Sequence, residues 1–201
     1  MKDIQTMIAE EIEEIEVKSP GHGKMALTYG LQTRSGARIS IRAATLLDDE
    51  GLRRMFSRSS SETIRRRFHM PYREVPRRML AIMLDSGESL GAVAGGEIVG
   101  HAMYVKIGHS AEAEMAIVVE DGWRSKGVGK SLLSELAERA RSGGIEAFIG
   151  EVLAENRRML GLAAMFAGTG YTVEDGTYRV RMPLGVTGPA ANTARTLRRA
   201  A

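Results

Sequence analysis

Apolar residues in the first half of the chain recur mainly at helical spacing. Residues 3–17 carry one apolar stripe on an otherwise acidic segment, which predicts an amphipathic helix. Residues 27–33 and 38–42 have the pattern of two strands around a turn at residues 34–37, so we expect a hairpin. Thr45, Ser60 and Pro76 each begin a helical pattern, which predicts three helices before residue 85.

The second half of the chain changes to strands and then alternates strands with helices. An antiparallel meander is expected over residues 90–94, 98–107 and 113–119. A helix over 128–141, a strand over 145–152, a helix over 156–167 and strands over 171–173 and 177–182 follow. Because a strand–helix–strand unit joins parallel neighbours, we predict an α/β (α+β) fold with a mixed, mostly antiparallel central sheet flanked by helices.

These elements divide the chain into three parts. Residues 1–37 hold the acidic helix, a linker and a hairpin strand, and residues 38–185 form the main domain. Residues 186–201 are small, polar and basic without periodicity, which predicts a disordered tail.

The stretch over residues 123–133, between the last meander strand and the next helix, has the features of a phosphate-binding loop. Gly127 and Gly129 allow an anion to approach the backbone, and the start of the helix offers N–H groups without intrahelical partners. A dinucleotide fingerprint is excluded because Leu132 stands where its third glycine is required. A Walker loop would need a glycine at Arg124, so a P-loop-like nucleotide-binding protein is the weaker alternative.

The remaining pattern, Arg124-x-x-Gly127-x-Gly129, resembles the pyrophosphate loop of the GNAT superfamily of N-acetyltransferases. Segments 60–68, 113–119 and 150–160 extend this resemblance over about residues 38–184, and they are most similar to bacterial Pat-type protein lysine acetyltransferases. The resemblance implies the GNAT acyl-CoA N-acyltransferase fold and transfer of an acetyl group from acetyl-CoA to a primary amine. A protein lysine is the first expectation for the acceptor, and a small-molecule amine is the alternative.

The resemblance also implies a set of cofactor-binding residues. They are Ile117, Val118, Val119, Arg124, Ser125, Lys126, Gly127, Val128, Gly129, Lys130 and Asn156. Asn156 would bond the pantetheine arm, although capping the following helix is an equally open role. Many relatives use a tyrosine of the last helix as general acid, and the matching position here is Ala163.

Acetyl transfer to a lysine needs a base, because an amine with a pKa near 10.4 is almost fully protonated at neutral pH. Glu114 precedes the apolar run 115–119, where partial desolvation would make its carboxylate a stronger base, and the resemblance implies the same role. Glu112, on the same strand face, and Glu151, at the end of the neighbouring strand, are the reserve candidates. Backbone N–H groups of residues 117–119 are expected to polarise the thioester carbonyl.

Composition and charge exclude several other classes. The 201 residues include no cysteine, so disulfides and thiol catalysis are excluded, and four scattered histidines predict no metal site. The chain lacks an apolar run of membrane-spanning length and a signal-peptide core, so we expect a cytoplasmic protein with no membrane contact. Residues 87–91 match Gly-x-Ser-x-Gly, but a helix precedes and a strand follows, the reverse of a hydrolase elbow.

The formal net charge of +3 hides two opposite segments. Residues 1–17 have a net charge of −5, from one lysine and six acids, and residues 53–78 have +7, from nine arginines and two glutamates. Each segment is either a solvated face or touches the other, within one chain or across a homodimer. Few aromatic residues lie among the arginines, so we expect no nucleic-acid partner.

Overall fold

The computed structural model describes residues 29–32, 37–173 and 176–185; for 29–32 and 171–173 it describes the backbone alone. The predicted acidic helix and the predicted tail lie outside the described residues. The division of the chain into three parts therefore stays a prediction.

Eight strands and five α-helices make up the described part of the chain. The strands are β1 (Tyr29–Gln32), β2 (Arg38–Ala43), β3 (Glu88–Ala94), β4 (Glu97–Lys106), β5 (Glu112–Val119), β6 (Ala147–Leu153), β7 (Thr169–Val173) and β8 (Thr177–Pro183). The helices are α1 (Asp49–Arg58), α2 (Ser61–Phe68), α3 (Arg77–Asp85), α4 (Val128–Ser142) and α5 (Arg157–Met165).

The strands form a single mixed sheet in the order β1-β2-β3-β4-β5-β6-β8-β7. Each neighbouring pair is antiparallel except β5 and β6, which are parallel and joined by α4. This confirms the predicted mixed, mostly antiparallel sheet. The expected hairpin is present as the antiparallel pair β1 and β2.

Two apolar cores cover the two faces of the sheet. Helices α4 and α5 contribute to one core and helices α1, α2 and α3 to the other. Side chains of β5 alternate between them: Met115 and Ile117 pack into the first core, whereas Ala116 and Val118 pack into the second. By the same alternation Glu114 faces the layer of α1, α2 and α3.

Local hydrogen bonds explain where the observed boundaries differ from the predicted ones. Strand β6 begins at Ala147 rather than at residue 145, because the Ile145 N–H still bonds to the Ala140 carbonyl of α4 at 2.9 Å. Helix α5 ends at Met165 because Ala167 is left-handed, with φ of 53°. The Thr45 backbone N–H donates to Asp48 at 3.0 Å and starts a 3₁₀ turn, Leu46–Asp48, which continues into α1.

Most arginines of the basic segment 53–78 are paired with acids of the described residues. Arg53 bonds Glu50, and Arg58 bonds Glu97 and Glu120. The other pairs are Arg54–Glu50, Arg54–Glu97, Arg65–Glu62, Arg65–Glu155 and Arg66–Glu62. This surface is therefore less basic than its own sequence indicates, and its contact with residues 1–17 is not tested, because those residues lie outside the described part.

Candidate active site

A cleft opens where the parallel strands β5 and β6 separate. They pair only over residues 112–114 of β5 and 147–149 of β6, although both continue for four or more residues. The last five residues of β5, Met115 to Val119, therefore present one backbone edge to the cleft. A cavity of about 790 Å³ fills this opening, a volume typical of small-molecule sites.

The cavity has an unequal charge distribution. Six basic side chains line it, and the lining acids are Glu114 and Glu151. The basic residues are Arg66, Arg67, Arg124, Lys126, Lys130 and Arg158. A mostly basic lining favours an anionic ligand. The two carboxylates offer a place for a positively charged amine beside that ligand.

The expected phosphate loop lies at one end of this cavity and has the geometry of an anion cradle. Ser125 and Gly127 are both left-handed, with φ of 58° and 90°, so successive N–H groups converge rather than alternate. Gly127 is the N-cap of α4 and has no side chain to accept from the first N–H groups of the helix. These donors lie at the positive end of the helix dipole and are available to a phosphate.

Arg124 is held against α2 rather than extended into solvent. One guanidinium nitrogen lies 2.8 Å from the Asp121 carboxylate, and the other donates to the Thr63 hydroxyl. Asp121 in turn accepts from the Ser60 backbone N–H at 2.8 Å and from the Ser60 hydroxyl at 2.9 Å. The start of α2 and the phosphate loop are therefore joined through one carboxylate.

Several cations gather around Arg124. Burial lowers the pKa of Arg124, and the charges of Arg158 and Arg66 lower it further, while Asp121 opposes them. The Lys126 ammonium lies 4.9 Å from the centre of the Trp123 ring, a cation–π contact beside the loop. Sequence reasoning missed Thr63, Arg66, Asp121 and Arg158. Thr63 and Arg66 lie on α2, about sixty residues from the loop, and Arg158 lies on α5, so no local spacing joins them to the loop. Asp121 is three residues from Arg124, a spacing that can signal an ion pair.

The hydrogen-bond alternation of β5 selects which of its N–H groups face the cleft. The Glu120 N–H bonds to Val99 and the Ile107 N–H bonds to Glu112, both at 3.0 Å, so the even-numbered residues of β5 pair with β4. The N–H groups of Ile117 and Val119 consequently point towards the open cleft, whereas that of Val118 points to β4. Val118 is among the residues that line the cavity but is not an oxyanion donor.

The three candidate bases are placed differently. Glu114 and Glu151 line the cavity, and Glu114 lies at the point where β5 and β6 separate. Glu112 is not among the lining residues, and its carboxylate pairs with Arg181 at 2.7 Å. Because its carboxylate is outside the cavity and already bonded to an arginine, Glu112 is a poor reserve.

Helix α5 supplies Asn156 but no phenol. The Asn156 carbonyl oxygen accepts from the Met159 N–H at 3.3 Å, so the residue caps the helix, and it also lines the cavity. Capping uses the amide oxygen, so a ligand bond through the amide nitrogen is compatible with it. Ala163 is buried in the core rather than in the cavity wall, and no tyrosine is among the described residues that line the cavity.

The Gly-x-Ser-x-Gly match is not a hydrolase site. Helix α3 precedes it and β3 contains Ser89, as expected from the sequence. The Ser89 hydroxyl bonds His101 Nε2 at 2.8 Å, but both residues are buried and neither lines the cavity.

A comparison with family models decides the classification. Residues 44–168 match the Acetyltransferase (GNAT) family. The chain belongs to this family. As a GNAT acetyltransferase it uses acetyl-CoA as its cosubstrate, and the loop geometry fits a diphosphate. A search of curated proteins found no match to this chain.

Solved structures support the GNAT assignment of the fold. The GNAT domain of S. lividans PAT aligns with a TM-score of 0.73 and 28% identity, over 78% of this chain and 96% of that domain. The yncA protein of Salmonella typhimurium, a structure determined with its cofactor acetyl-CoA, aligns with a TM-score of 0.59 and 19% identity. The alignment covers 77% of this chain and 99% of that chain. A ribosomal-protein-alanine N-acetyltransferase from Brucella melitensis aligns with a TM-score of 0.54 and 20% identity, over 71% of this chain and 97% of that chain.

The described residues contain no group of three or more His, Asp or Glu side chains placed to hold a metal ion. In the same part of the chain, no helix is long and apolar enough to cross a membrane.

Proposed function

We propose that this GNAT acetyltransferase transfers the acetyl group of acetyl-CoA to the ε-amine of a protein lysine, with Glu114 as general base. The observation that carries the proposal is the position of Glu114 at the vertex of the β5–β6 opening, inside the cavity that the phosphate loop closes at its other end. From Glu114 to Val119 the strand advances about 17 Å, which an extended pantetheine arm can span. The diphosphate and the reacting thioester can thus be held at the two ends of one strand.

The cofactor is bound by the groups already described. The N–H groups at the start of α4 and the cations around Arg124 bind phosphate oxygens, and Asn156 bonds the arm through its amide nitrogen. Of the two cleft-facing donors, the Ile117 N–H is nearer to Glu114; it donates to the thioester carbonyl and stabilises the negative charge that develops on its oxygen. Acetyl rather than a longer acyl group is part of this proposal.

The chemical step is a direct attack on the thioester. Glu114 takes a proton from the acceptor ammonium, and the amine nitrogen forms a bond to the carbonyl carbon. The carbon–sulfur bond then breaks, and the nitrogen gives up its second proton to the departing sulfur or to solvent. The sulfur leaves as a thiolate, which is a stable anion because the ordinary pKa of a thiol is near 8.5. The products are an amide and CoA.

The acceptor is assigned from the similarity to Pat-type enzymes and from an acceptor half formed by Arg67, His69, Glu114 and Glu151. A small-molecule amine is the alternative within the same chemistry. A cytoplasmic location and a homodimer are retained only as proposals from the sequence.

The function is tested with acetyl-CoA and a panel of lysine-bearing proteins and small amines, read by mass spectrometry. We expect acetyl-lysine in at least one protein, with no product from a Gly129→Glu variant as the matched control. Acetylation of small amines alone would overturn the protein-lysine assignment. No product from either group in an enzyme that binds acetyl-CoA would overturn the proposed activity.

A further inference from the structure

The acceptor half of the cavity contains an arginine with an unusual environment. Arg67, in the last turn of α2, is only 5% exposed although it lines the cavity. Its Nη2 donates to the Met103 sulfur at 3.7 Å, a weak acceptor, and its Nε and Nη1 have no hydrogen-bond partner among the described residues. Arginine is rarely buried without a carboxylate or a ring of acceptors, so this placement requires an explanation.

In the part of the chain that the structure describes, packing around Arg67 offers its charge one aromatic contact and no acid. Ile64 and Phe68 of α2 fill the apolar core, and an uncharged side chain could also contact Met103. The guanidinium carbon lies 4.9 Å from the centre of the Phe68 ring, a cation–π contact that leaves Nε and Nη1 without a hydrogen-bond acceptor among the described residues. Burying a charge is costly, and no ion pair of Arg67 within the described part of the chain offsets that cost.

The charge of Arg67 persists at neutral pH and acts on Glu114. Burial lowers the pKa of Arg67 to about 10, and the charge of Glu114 opposes this shift. On β4, burial and the charge of Arg67 lower the pKa of His101 to about 3, so this histidine stays neutral. Among the described residues, the other charged or titratable groups that line this half of the cavity are Arg66 and His69 from α2 and Glu151 from β6.

We propose that Arg67 is a positioning residue for catalysis: its buried guanidinium lines the same cavity as Glu114 and holds that carboxylate in place to accept the proton of the acceptor. The inference rests on the proposed function, because it assigns Arg67 an action through Glu114. A cation beside a carboxylate stabilises the charged form, and the effect is large where burial limits screening by solvent. Arg67, buried in the same cavity, supplies such a cation.

The test is a pH profile of kcat/KM for Arg67→Met, with Arg54→Met as control. Arg54 is an exposed, ion-paired arginine of α1 outside the cavity, so its variant should keep the wild-type profile. Arg67→Met should shift the acidic limb of the profile about one pH unit to higher pH. At pH values below the limb kcat/KM should fall about tenfold, and at pH values above it kcat/KM should change little. Acetyl-CoA affinity and melting temperature should stay close to wild type, whereas a merely structural arginine would lower the melting temperature and leave the limb in place.

Two further variants make the outcome decisive. Arg67→Lys keeps a charge and should restore the acidic limb, and Arg67→Gln should not; this comparison also serves if Arg67→Met does not fold. In a Glu114→Gln background the effect of Arg67→Met should disappear, because residues that act as a unit are not additive. An acidic limb that does not shift in Arg67→Met and Arg67→Gln would overturn the inference. An Arg67→Met change that lowers kcat/KM equally in the wild-type and Glu114→Gln backgrounds would also overturn it. A Glu114→Gln enzyme of wild-type activity would instead overturn the proposed base.

Discussion

Glu114 lies opposite Ile149 in the last residue pair that joins β5 to β6. Beyond this pair the two strands separate, and the backbone edge of β5 becomes available to a ligand instead of to a neighbouring strand. The same pair therefore ends the parallel sheet and places a carboxylate at the head of the cleft. Function at this site depends on where strand pairing stops, which is a property of tertiary structure.

Gly129 is expected to control cofactor binding through the space beside it. A Cβ atom at this position would lie 3.6 Å from Val119 and 3.8 Å from Leu162, which are ordinary van der Waals contacts. Gly129→Ala should therefore fold and bind acetyl-CoA within about threefold of wild type, whereas Gly129→Glu should place a carboxylate in the phosphate cradle and abolish binding. Calorimetry measures both affinities.

The matched control for Gly129→Glu is Gly122→Glu. Gly122 has no atom within 4 Å of a Cβ and lies outside the cavity lining, so this variant adds the same charge nearby and should bind normally. Unchanged affinity in a folded Gly129→Glu protein would remove the loop from the cofactor site.

Gly87 is expected to be required for stability, because there is no space for a side chain at this position. A Cβ on Gly87 would lie 2.2 Å from the Tyr104 carbonyl oxygen of β4, so Gly87→Ala must displace the start of β3 or the paired strand. We expect a clear loss of melting temperature. Gly161→Ala is the control: nothing lies within 4 Å of its Cβ, and the change should stabilise α5 by about 0.5–1 kcal/mol. Equal melting temperatures for the two variants would contradict the steric argument.

Asp121 should contribute stability that depends on pH. Burial opposes ionisation, but hydrogen bonds from Ser60 and Thr63 and the charge of Arg124 keep the pKa of Asp121 below its usual value. A carboxyl group whose pKa is lowered by folding stabilises the protein above the unfolded pKa, near 4, and loses that contribution as pH falls through the folded value. The melting-temperature advantage over Asp121→Asn should be full at pH 7 and shrink below about pH 4.

The control for this prediction is Asp85→Asn, at the exposed end of α3. Because the Asp85 side chain is exposed, its replacement should change the melting temperature little at pH 7 and at pH 3. A melting-temperature difference between wild type and Asp121→Asn that is equally large at both pH values would mean that the charge of Asp121 does not contribute to stability.

The order of elements and the loop could be predicted from the sequence because both depend on local signals. Periodicity places β5 and α4 to within one residue, and the glycine spacing selects the anion loop over its rivals. Ser60 was predicted as a cap and accepts from the Thr63 N–H at 3.2 Å. These features depend on residues within one or two turns of each other.

The rest of the site depends on distant packing and could not be predicted in this way. Asp121 bonds to Ser60 only because α2 packs across the end of β5. The sequence pattern does not distinguish the buried Arg67 from the other eight arginines of segment 53–78. Periodicity also does not show which strand edge is open. The alternation that separates Val118 from Ile117 and Val119 required the register between β4 and β5.

Glu114→Gln tests the proposed base most directly. The change keeps the size of the side chain and removes its basicity, so kcat should fall by about 10²–10⁴-fold near neutral pH, with little change in acetyl-CoA affinity. The loss should shrink as pH rises, because free amine then forms without a base. Glu112→Gln is the matched control, since Glu112 is paired with Arg181 outside the cavity and should retain activity. Activity within about threefold of wild type in Glu114→Gln would move the role to Glu151 or to solvent. A large loss that stays constant up to alkaline pH would make Glu114 a substrate-positioning residue.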